Sequence, residues 1–214
     1  SYNCSGPQMF VHDDVKSAIP FMKKSHAKGK PFFINLWIHE PHTPFHVDPK
    51  LQKLFPDLPE ADNIYAATLY HADLRIGQLL DALDEMKISD NTLVIFSSDN
   101  GPARGSPNSP ITLSYDSATG PGYGIGAAKG ITGGRRAFKG ALMEGGIGVP
   151  FIARWPGKIA AGKVDKTSVL SAVDLLPTFC ELGNVKLPKS YRPDGMSQVS
   201  ALMGKGNPLR KKPI

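Results

Sequence analysis

The 214-residue sequence is poor in cysteine, with only Cys4 and Cys180. Two cysteines so far apart cannot supply a disulfide framework or a thiolate metal cluster. They also do not indicate whether the protein resides in an oxidising or a reducing compartment. The chain is not disordered either, because 41% of its residues are hydrophobic and 21% are charged. That composition is enough for one sizeable core or a large part of one.

Long apolar runs are also absent. The longest strongly apolar stretch, Phe32–Ile38, is far shorter than the roughly 20 residues that cross a bilayer, so we expect no membrane span. No basic segment leads into an apolar one at the first residues, so a signal peptide is absent or has been removed. Either case is compatible with an excised fragment.

Acidic residues are almost missing from Arg104 to Met143, where Asp116 is the only one. A Gly-rich, cationic segment suits sulfate, phosphate or a nucleic-acid backbone, and a solvated basic loop explains the charge equally well. Aromatic residues do not interleave with the basic ones, so we expect no nucleic-acid partner. The basic residues of the segment are Arg104, Lys129, Arg135, Arg136 and Lys139.

Apolar periodicity predicts alternating helices and strands. The predicted strands are Phe32–Ile38 and Thr92–Ser97, both buried, and Val149–Trp155. The predicted helices are one through Val15–Met22 with a kink or a later start at Pro20, a long one over Ala61–Met86, a short turn at residues 142–144, and one from a cap at Asp174 to Leu182, ended by Gly183. This alternation indicates an α/β domain with a mainly parallel sheet flanked by helices.

Polar residues follow two of the predicted strands. Ligands bind beyond the carboxyl ends of strands in such sheets. His39, His42 and His46 follow the first strand, in a loop that prolines stiffen. A single histidine is usually structural, but three within eight residues favour a functional loop, with His42 as the candidate ligand contact.

Asp99 and Asn100 follow the second strand and offer a carboxylate and an amide oxygen. These ligands suit a hard cation such as calcium or magnesium, although two residues cannot complete the site. Asp-Asn-Gly is also a common turn sequence, and the residues alone favour the turn.

Lys139 lies between Phe138 and Gly140, ahead of Glu144-Gly145-Gly146. Its ammonium could donate to an anionic oxygen, and the glycines permit close backbone approach. Without further context, an exposed lysine explains the position at least as well.

Five motifs in order resemble the sulfatase family of the alkaline-phosphatase-like superfamily, in particular arylsulfatases and enzymes that desulfate sugars. They occur over nearly the whole chain, which resembles the second half of the catalytic domain. The motifs are Pro31-Phe32-Phe33 with Pro41-His42-Thr43-Pro44, Phe96 to Gly101, Lys139 with Glu144-Gly145-Gly146 and Val149-Pro150, Trp155-Pro156-Gly157, and Asp174-Leu175-Leu176-Pro177-Thr178.

The resemblance implies hydrolysis of a sulfate ester of a small molecule or a sugar. It implies that His42 contacts the sulfate or protonates the leaving oxygen, that Lys139 binds a sulfate oxygen, and that Asp99 and Asn100 ligate calcium. The nucleophile it implies is a formylglycine made from Cys or Ser in the pattern Cys-or-Ser, any, Pro, any, Arg. It also suggests a periplasmic, secreted or lysosomal location.

The sequence departs from the family at the nucleophile, since neither cysteine and no serine fits that pattern. Gly148 also stands where many relatives carry Arg. We therefore expect residues 1–214 to be a partial, inactive catalytic domain that lacks the nucleophile segment and the small C-terminal subdomain. The alternatives are a phosphodiesterase or phosphonate hydrolase on the same scaffold, and a non-catalytic anion-binding module.

Overall fold

The computed structural model of the protein describes residues 10–106, 108–111, 114–116 and 120–206. Cys4 lies outside the described residues. The chain forms two compact units. The first contains the described residues up to Ile88 together with Ser97–Phe151, and the second contains Ser89–Phe96 together with the described residues from Ile152 onward.

The described residues contain both helices and strands. The helices are α1 (Phe10–Ala27), α2 (Pro49–Gln52), α3 (Glu60–Glu85), α4 (Glu144–Ile147), α5 (Leu175–Leu182) and α6 (Val199–Leu202). The strands are β1 (Val94–Ser97), β2 (Ser114–Asp116), β3 (Gly120–Gly122) and β4 (Phe151–Arg154). Within this described part of the chain, no helix is long and apolar enough to span a membrane.

Helix α3 is the central element of the first unit, and it confirms the helix predicted over Ala61–Met86. Its apolar stripe is buried, with Ile64, Ala67 and Leu83 at most 4% exposed. Glu60 and Asp62 lie in its first turn, where negative charge interacts favourably with the helix dipole. Helix α1 packs against α3.

Helix α1 begins at Phe10 and continues through Pro20, so the expectation of a later start was wrong. Val15, Ala18 and Met22 are buried on one face of this helix, on both sides of the proline. Most helical stability in proteins comes from packing such a face, and here it outweighs the backbone hydrogen bond that proline removes.

Two of the three predicted strands exist, as β1 and β4, and they pair in a two-stranded sheet. The prediction that the first of them is buried was wrong, since Phe96 is 41% exposed. Strands β2 and β3 pair antiparallel, with Tyr115 opposite Pro121. Both strands lie inside the Gly-rich segment, where no strand was predicted.

The segment Phe32–Ile38 was predicted to be a buried strand, and that prediction was wrong. It is a loop that belongs to none of the sheets in the described residues. Its side chains alternate between partly buried and exposed, and Trp37 is 80% exposed. Apolar composition signals burial, but a strand also needs a neighbour for its backbone groups.

Asp174 occupies the predicted N-cap position of α5, but its side chain makes no capping hydrogen bond to that helix. It is the last residue of the 3₁₀ turn Ala172–Asp174, where it forms a capping box with Ser171. Its buried carboxylate accepts hydrogen bonds from the amides of Ser171 and Met196, both at 2.9 Å. Gly183 follows the last residue of α5, which confirms the predicted end.

Candidate functional site

The histidine loop, residues 39–46, is fixed to the core of the first unit by Phe45. Phe45 is 2% exposed and packs in a cluster with Ile64 and Ala127. Its amide and carbonyl exchange hydrogen bonds with Tyr123, at 2.9 and 3.0 Å. The loop contains cis peptide bonds before Pro41 and Pro44. A buried anchor of this kind gives the exposed part of the loop a defined position.

His42 is exposed in this loop, and one of its two ring nitrogens is engaged. Its Nδ1 donates to the carbonyl oxygen of Thr43 at 2.6 Å, and its ring lies 5.5 Å from that of His39. Because a carbonyl oxygen only accepts, Nδ1 carries the hydrogen. Nε2 is then left to accept a hydrogen bond when the ring is neutral, or to donate one when the ring is charged.

His46 differs from His42 in its surroundings. Its Nε2 is buried and has no hydrogen-bond partner among the described residues. Burial lowers the pKa of His46 below its ordinary value of 6.5. Burial therefore favours the neutral ring, and His46 suits the interior of the loop better than contact with an anion.

Asp99 and Asn100 follow β1, as predicted, and form a tight turn. The Asp99 carboxylate accepts hydrogen bonds from the Asn100 amide at 2.9 Å and from the Ser98 hydroxyl at 3.4 Å. The Asn100 Nδ2 donates to the carbonyl of Gly101 at 3.0 Å, and no hydrogen bond to its side-chain oxygen occurs in the described part of the chain. The turn thus presents carboxylate and amide oxygens of the kind that calcium prefers.

A complete metal site is not formed by these residues. The described residues contain no group of three or more His, Cys, Asp or Glu arranged to hold a metal ion. A calcium ion takes about six to eight oxygens, so an ion at Asp99 and Asn100 needs further ligands.

Two glycines allow the Asp99 turn and α4 to meet. The Gly101 amide donates to the Gly146 carbonyl at 2.8 Å, and a Cβ on Gly101 would overlap the Gly145 carbonyl oxygen. The Gly145 amide in turn donates to the Arg136 carbonyl at 2.8 Å, and a Cβ there would overlap the Ala137 carbonyl oxygen. These close approaches explain why the Glu-Gly-Gly motif lies opposite Asp-Asn-Gly.

Lys139 is joined to the same turn through its backbone. Its amide donates to the carbonyl of Pro102 at 2.9 Å. Ala137, two residues earlier, has a φ of 67°, a conformation that costs a non-glycine residue energy. The Lys139 side chain is exposed, and its ammonium has no hydrogen-bond acceptor within the described ranges. That ammonium remains available for an anion.

The histidine loop is connected to these residues by packing and not by a direct hydrogen bond from His42. The ring of Tyr65 packs edge to face on Phe45, with centroids 5.9 Å apart. A Cβ on Gly130 would lie 3.1 Å from the Tyr65 hydroxyl and would overlap Pro102. Phe45, Tyr65, Gly130 and Pro102 therefore form a continuous contact path from the His42 loop to the Lys139 loop.

A cavity of about 440 Å³ opens beside Phe138, the residue before Lys139. In the sequence, Arg104 is visible only as part of the cationic segment and Phe138 only as a neighbour of Lys139. The structure joins them, with the Arg104 guanidinium 5.2 Å from the centre of the Phe138 ring. The wall consists of Arg104, Gly105, Ala128, Lys129, Gly130, Ile131, Thr132, Gly133, Gly134 and Phe138.

Gly148, which replaces an expected arginine, lies against another arginine. A Cβ on Gly148 would be 3.2 Å from both Cδ and Nε of Arg135. The absence of a side chain at Gly148 thus leaves room for the Arg135 side chain beside α4.

Comparison with known proteins gives consistent matches. The sequence model of the Sulfatase family matches residues 1–185. Arylsulfatase G of Mus musculus is 30% identical over 191 residues, which are 89% of this chain and 33% of that protein. N-acetylgalactosamine-6-sulfatase of Canis lupus familiaris is 30% identical over 206 residues, 94% of this chain and 33% of that protein.

The fold also matches a solved structure, described as Ps i-CgsB in complex with k-i-k-neocarrahexaose. The TM-score is 0.74 at 30% identity, over 92% of this chain and 39% of that one. The chain thus spans about a third of the length of the curated relatives it matches.

Proposed function

Because the chain belongs to the sulfatase family, we propose that the complete protein hydrolyses a sulfate ester to an alcohol and sulfate. The observation that carries this proposal is the junction of the Asp99 turn, α4 and the Lys139 loop through the hydrogen bonds of Gly101, Gly145 and Lys139. It brings a carboxylate, an amide oxygen and an unpaired ammonium onto neighbouring loops, which suits a metal-bound oxyanion.

His42 and Lys139 have complementary roles in this proposal. The Lys139 ammonium binds a sulfate oxygen as a point charge. The His42 imidazole, whose Nδ1 is held by Thr43, offers Nε2 to the sulfate or gives a proton to the leaving oxygen. The two groups stabilise the charge that develops on oxygen as the ester bond breaks.

Asp99 and Asn100 fit a calcium site in the donor set they present. When bound, calcium would supply positive charge that stabilises the sulfate oxygens. The two residues would hold the ion through their side-chain oxygens, and the other ligands would come from elsewhere in the complete protein.

The attacking group is proposed to be a formylglycine outside these 214 residues. None of the cysteines or serines here fits the required pattern. We therefore expect the 214 residues to form part of a sulfatase catalytic domain whose full sheet is mainly parallel, and to be inactive alone. We also expect an extracytoplasmic protein.

The substrate class proposed is a sulfated sugar. The similar N-acetylgalactosamine-6-sulfatase and the similar structure with k-i-k-neocarrahexaose support a carbohydrate substrate. An aryl sulfate would undergo the same hydrolysis while making fewer contacts with the protein.

The proposal is tested by measuring sulfate release from an aryl sulfate and from sulfated sugars by the complete gene product. We expect turnover that needs calcium and is absent from the 214-residue chain. Turnover of a phosphodiester with bound zinc, and none of a sulfate ester, would instead establish the phosphoryl alternative.

A further inference from the structure

The cavity beside Phe138 carries an uncompensated positive charge. Two cations line it, Arg104 and Lys129. Lys129 lies 3.4 Å from the carboxylate of Asp62 in the first turn of α3. Arg104 has no carboxylate partner among the described residues. The charge of Lys129 is thus balanced, and that of Arg104 is left for a ligand.

The aromatic ring of Phe138 restrains the Arg104 guanidinium. The separation of 5.2 Å between Cζ and the ring centre is within the range of a cation–π contact. A guanidinium held in this way keeps its fork of N–H donors free, and that fork matches the two oxygens of a carboxylate or sulfate. A lysine at the same place would be a point charge without that geometry.

The other walls of the cavity combine backbone and a hydroxyl with the apolar side chains of Ala128 and Ile131, a mixture that suits a sugar ring. Backbone at Gly130, Gly133 and Gly134 lines it without side chains, and Thr132 adds a hydroxyl. Gly133 and Gly134 have φ values of 63° and 84°, which only glycine adopts readily. The volume of about 440 Å³ lies within the common range of ligand pockets, about 300 to 1,000 Å³.

We propose that this cavity is a second anion subsite, in which Arg104 binds a sulfate or carboxylate group on the sugar next to the reacting sulfate ester. The inference rests on the proposed function, because Lys139 marks the reacting sulfate and Phe138 directly precedes it. The substrate class is therefore a polyanionic sugar with anionic groups on neighbouring positions. A sugar with a single sulfate and no carboxylate leaves Arg104 without a partner.

Binding tests the subsite directly, and chelation of calcium prevents sulfate release during the measurement. Calorimetric titration would compare the complete protein with its Arg104→Gln and Arg104→Lys variants, using a disulfated disaccharide, a monosulfated disaccharide with a uronate, and a disaccharide whose single sulfate is its only charged group. We expect Arg104→Gln to weaken binding of one or both of the first two by about ten- to a hundredfold, and Arg104→Lys to weaken it less. Whichever ligand responds identifies the second group as sulfate or carboxylate.

Arg192→Gln is the matched control, since it removes the same charge from an exposed residue of the second unit that is not part of the cavity wall. We expect it to change each affinity by less than about twofold. Equal losses of affinity in Arg104→Gln and Arg192→Gln would overturn the inference, because the effect would then come from the overall charge of the protein. An equal loss for the disaccharide with a single sulfate and no carboxylate would also overturn it, by assigning Arg104 to the reacting sulfate.

Measurements of hydrolysis show whether a failure concerns the subsite or the proposed function. If the subsite is correct, Arg104→Gln lowers kcat/KM for the polyanionic sugar and leaves that for an aryl sulfate unchanged. Absence of sulfate release from every substrate, with the charge-dependent binding intact, would contradict the function and leave the subsite supported. Normal sulfate release with no selective effect of Arg104→Gln would contradict only the subsite.

Discussion

The amide of Lys139 donates a 2.9 Å hydrogen bond to the carbonyl of Pro102. Pro102 follows Asp99, Asn100 and Gly101, so this bond ties the lysine loop to the turn that bears the candidate metal ligands. The connection uses backbone atoms alone and leaves the ammonium available. The side chain can therefore be changed without removing the bond that positions the loop.

Replacement of Lys139 tests its role in catalysis. Lys139→Ala should lower kcat for sulfate release by about 10²- to 10³-fold, the usual effect of removing one oxyanion donor. Stability should change little, because the side chain is exposed. Lys166→Ala, which removes an exposed lysine of the second unit, is the control. Equal activities of the two variants would contradict the assignment.

Replacement of Asp99 tests the metal site. Asp99→Asn keeps the shape of the side chain and removes its charge, so the calcium concentration for half-maximal activity should rise about tenfold or more, since affinity depends on ligand charge. Chelation should abolish sulfate release, and added calcium should restore it. Asp90→Asn alters an exposed carboxylate outside the site and should leave the calcium requirement unchanged. An unchanged requirement in Asp99→Asn would remove Asp99 from the metal site.

A pair of glycine substitutions tests the close contact at Gly101. Gly101→Ala places a methyl group against the Gly145 carbonyl and should lower the free energy of unfolding by about 1 to 3 kcal/mol. Gly77→Ala lies inside α3, with no atom within 4 Å of the new methyl, and should raise it by about 0.5 to 1 kcal/mol. Urea denaturation measures both, and a stable Gly101→Ala variant would disprove the contact.

The buried Nε2 of His46 should make stability depend on pH. Burial lowers the pKa of His46 in the folded protein, while the unfolded chain keeps a value near 6.5. Below that value the unfolded state binds the proton first, so stability is complete above it and is lost as pH falls toward the lowered folded pKa.

The test is urea denaturation at about pH 7.5 and about pH 5.5 in wild type and His46→Gln. The variant should lose less stability on acidification than wild type. His26→Gln, at an exposed position in α1, should keep the wild-type dependence. Identical pH dependence in all three proteins would contradict the prediction.

The local sequence pattern was sufficient to predict a helix whose apolar residues form one buried stripe. The predicted helix over Ala61–Met86 differs from α3 by one residue at each end. Helix α1 was harder to predict, because the local cost of Pro20 is visible in the sequence and the packing that offsets it is not. The same limit applies to Phe32–Ile38, whose apolar residues show no sign of the backbone partners that a strand requires.

The same distinction between local and long-range information applies to the candidate site residues. The turn of Asp99 and Asn100 was placed correctly after its strand, since short-range order fixes that position. The roles of His42, Lys139, Asp99 and Asn100 stay predictions. The contact of Arg104 with Phe138 joins residues far apart in the chain, and only a folded structure brings such a pair together.

The most direct measurement is a crystal structure of the complete protein with calcium and sulfate. We expect calcium on oxygens of Asp99 and Asn100 at about 2.3 to 2.6 Å, and a sulfate that contacts that ion, the Lys139 ammonium and the His42 imidazole. Calcium and sulfate bound elsewhere, with Lys139 and His42 directed away from a shared anion, would contradict the proposed sulfate ester hydrolysis at these residues.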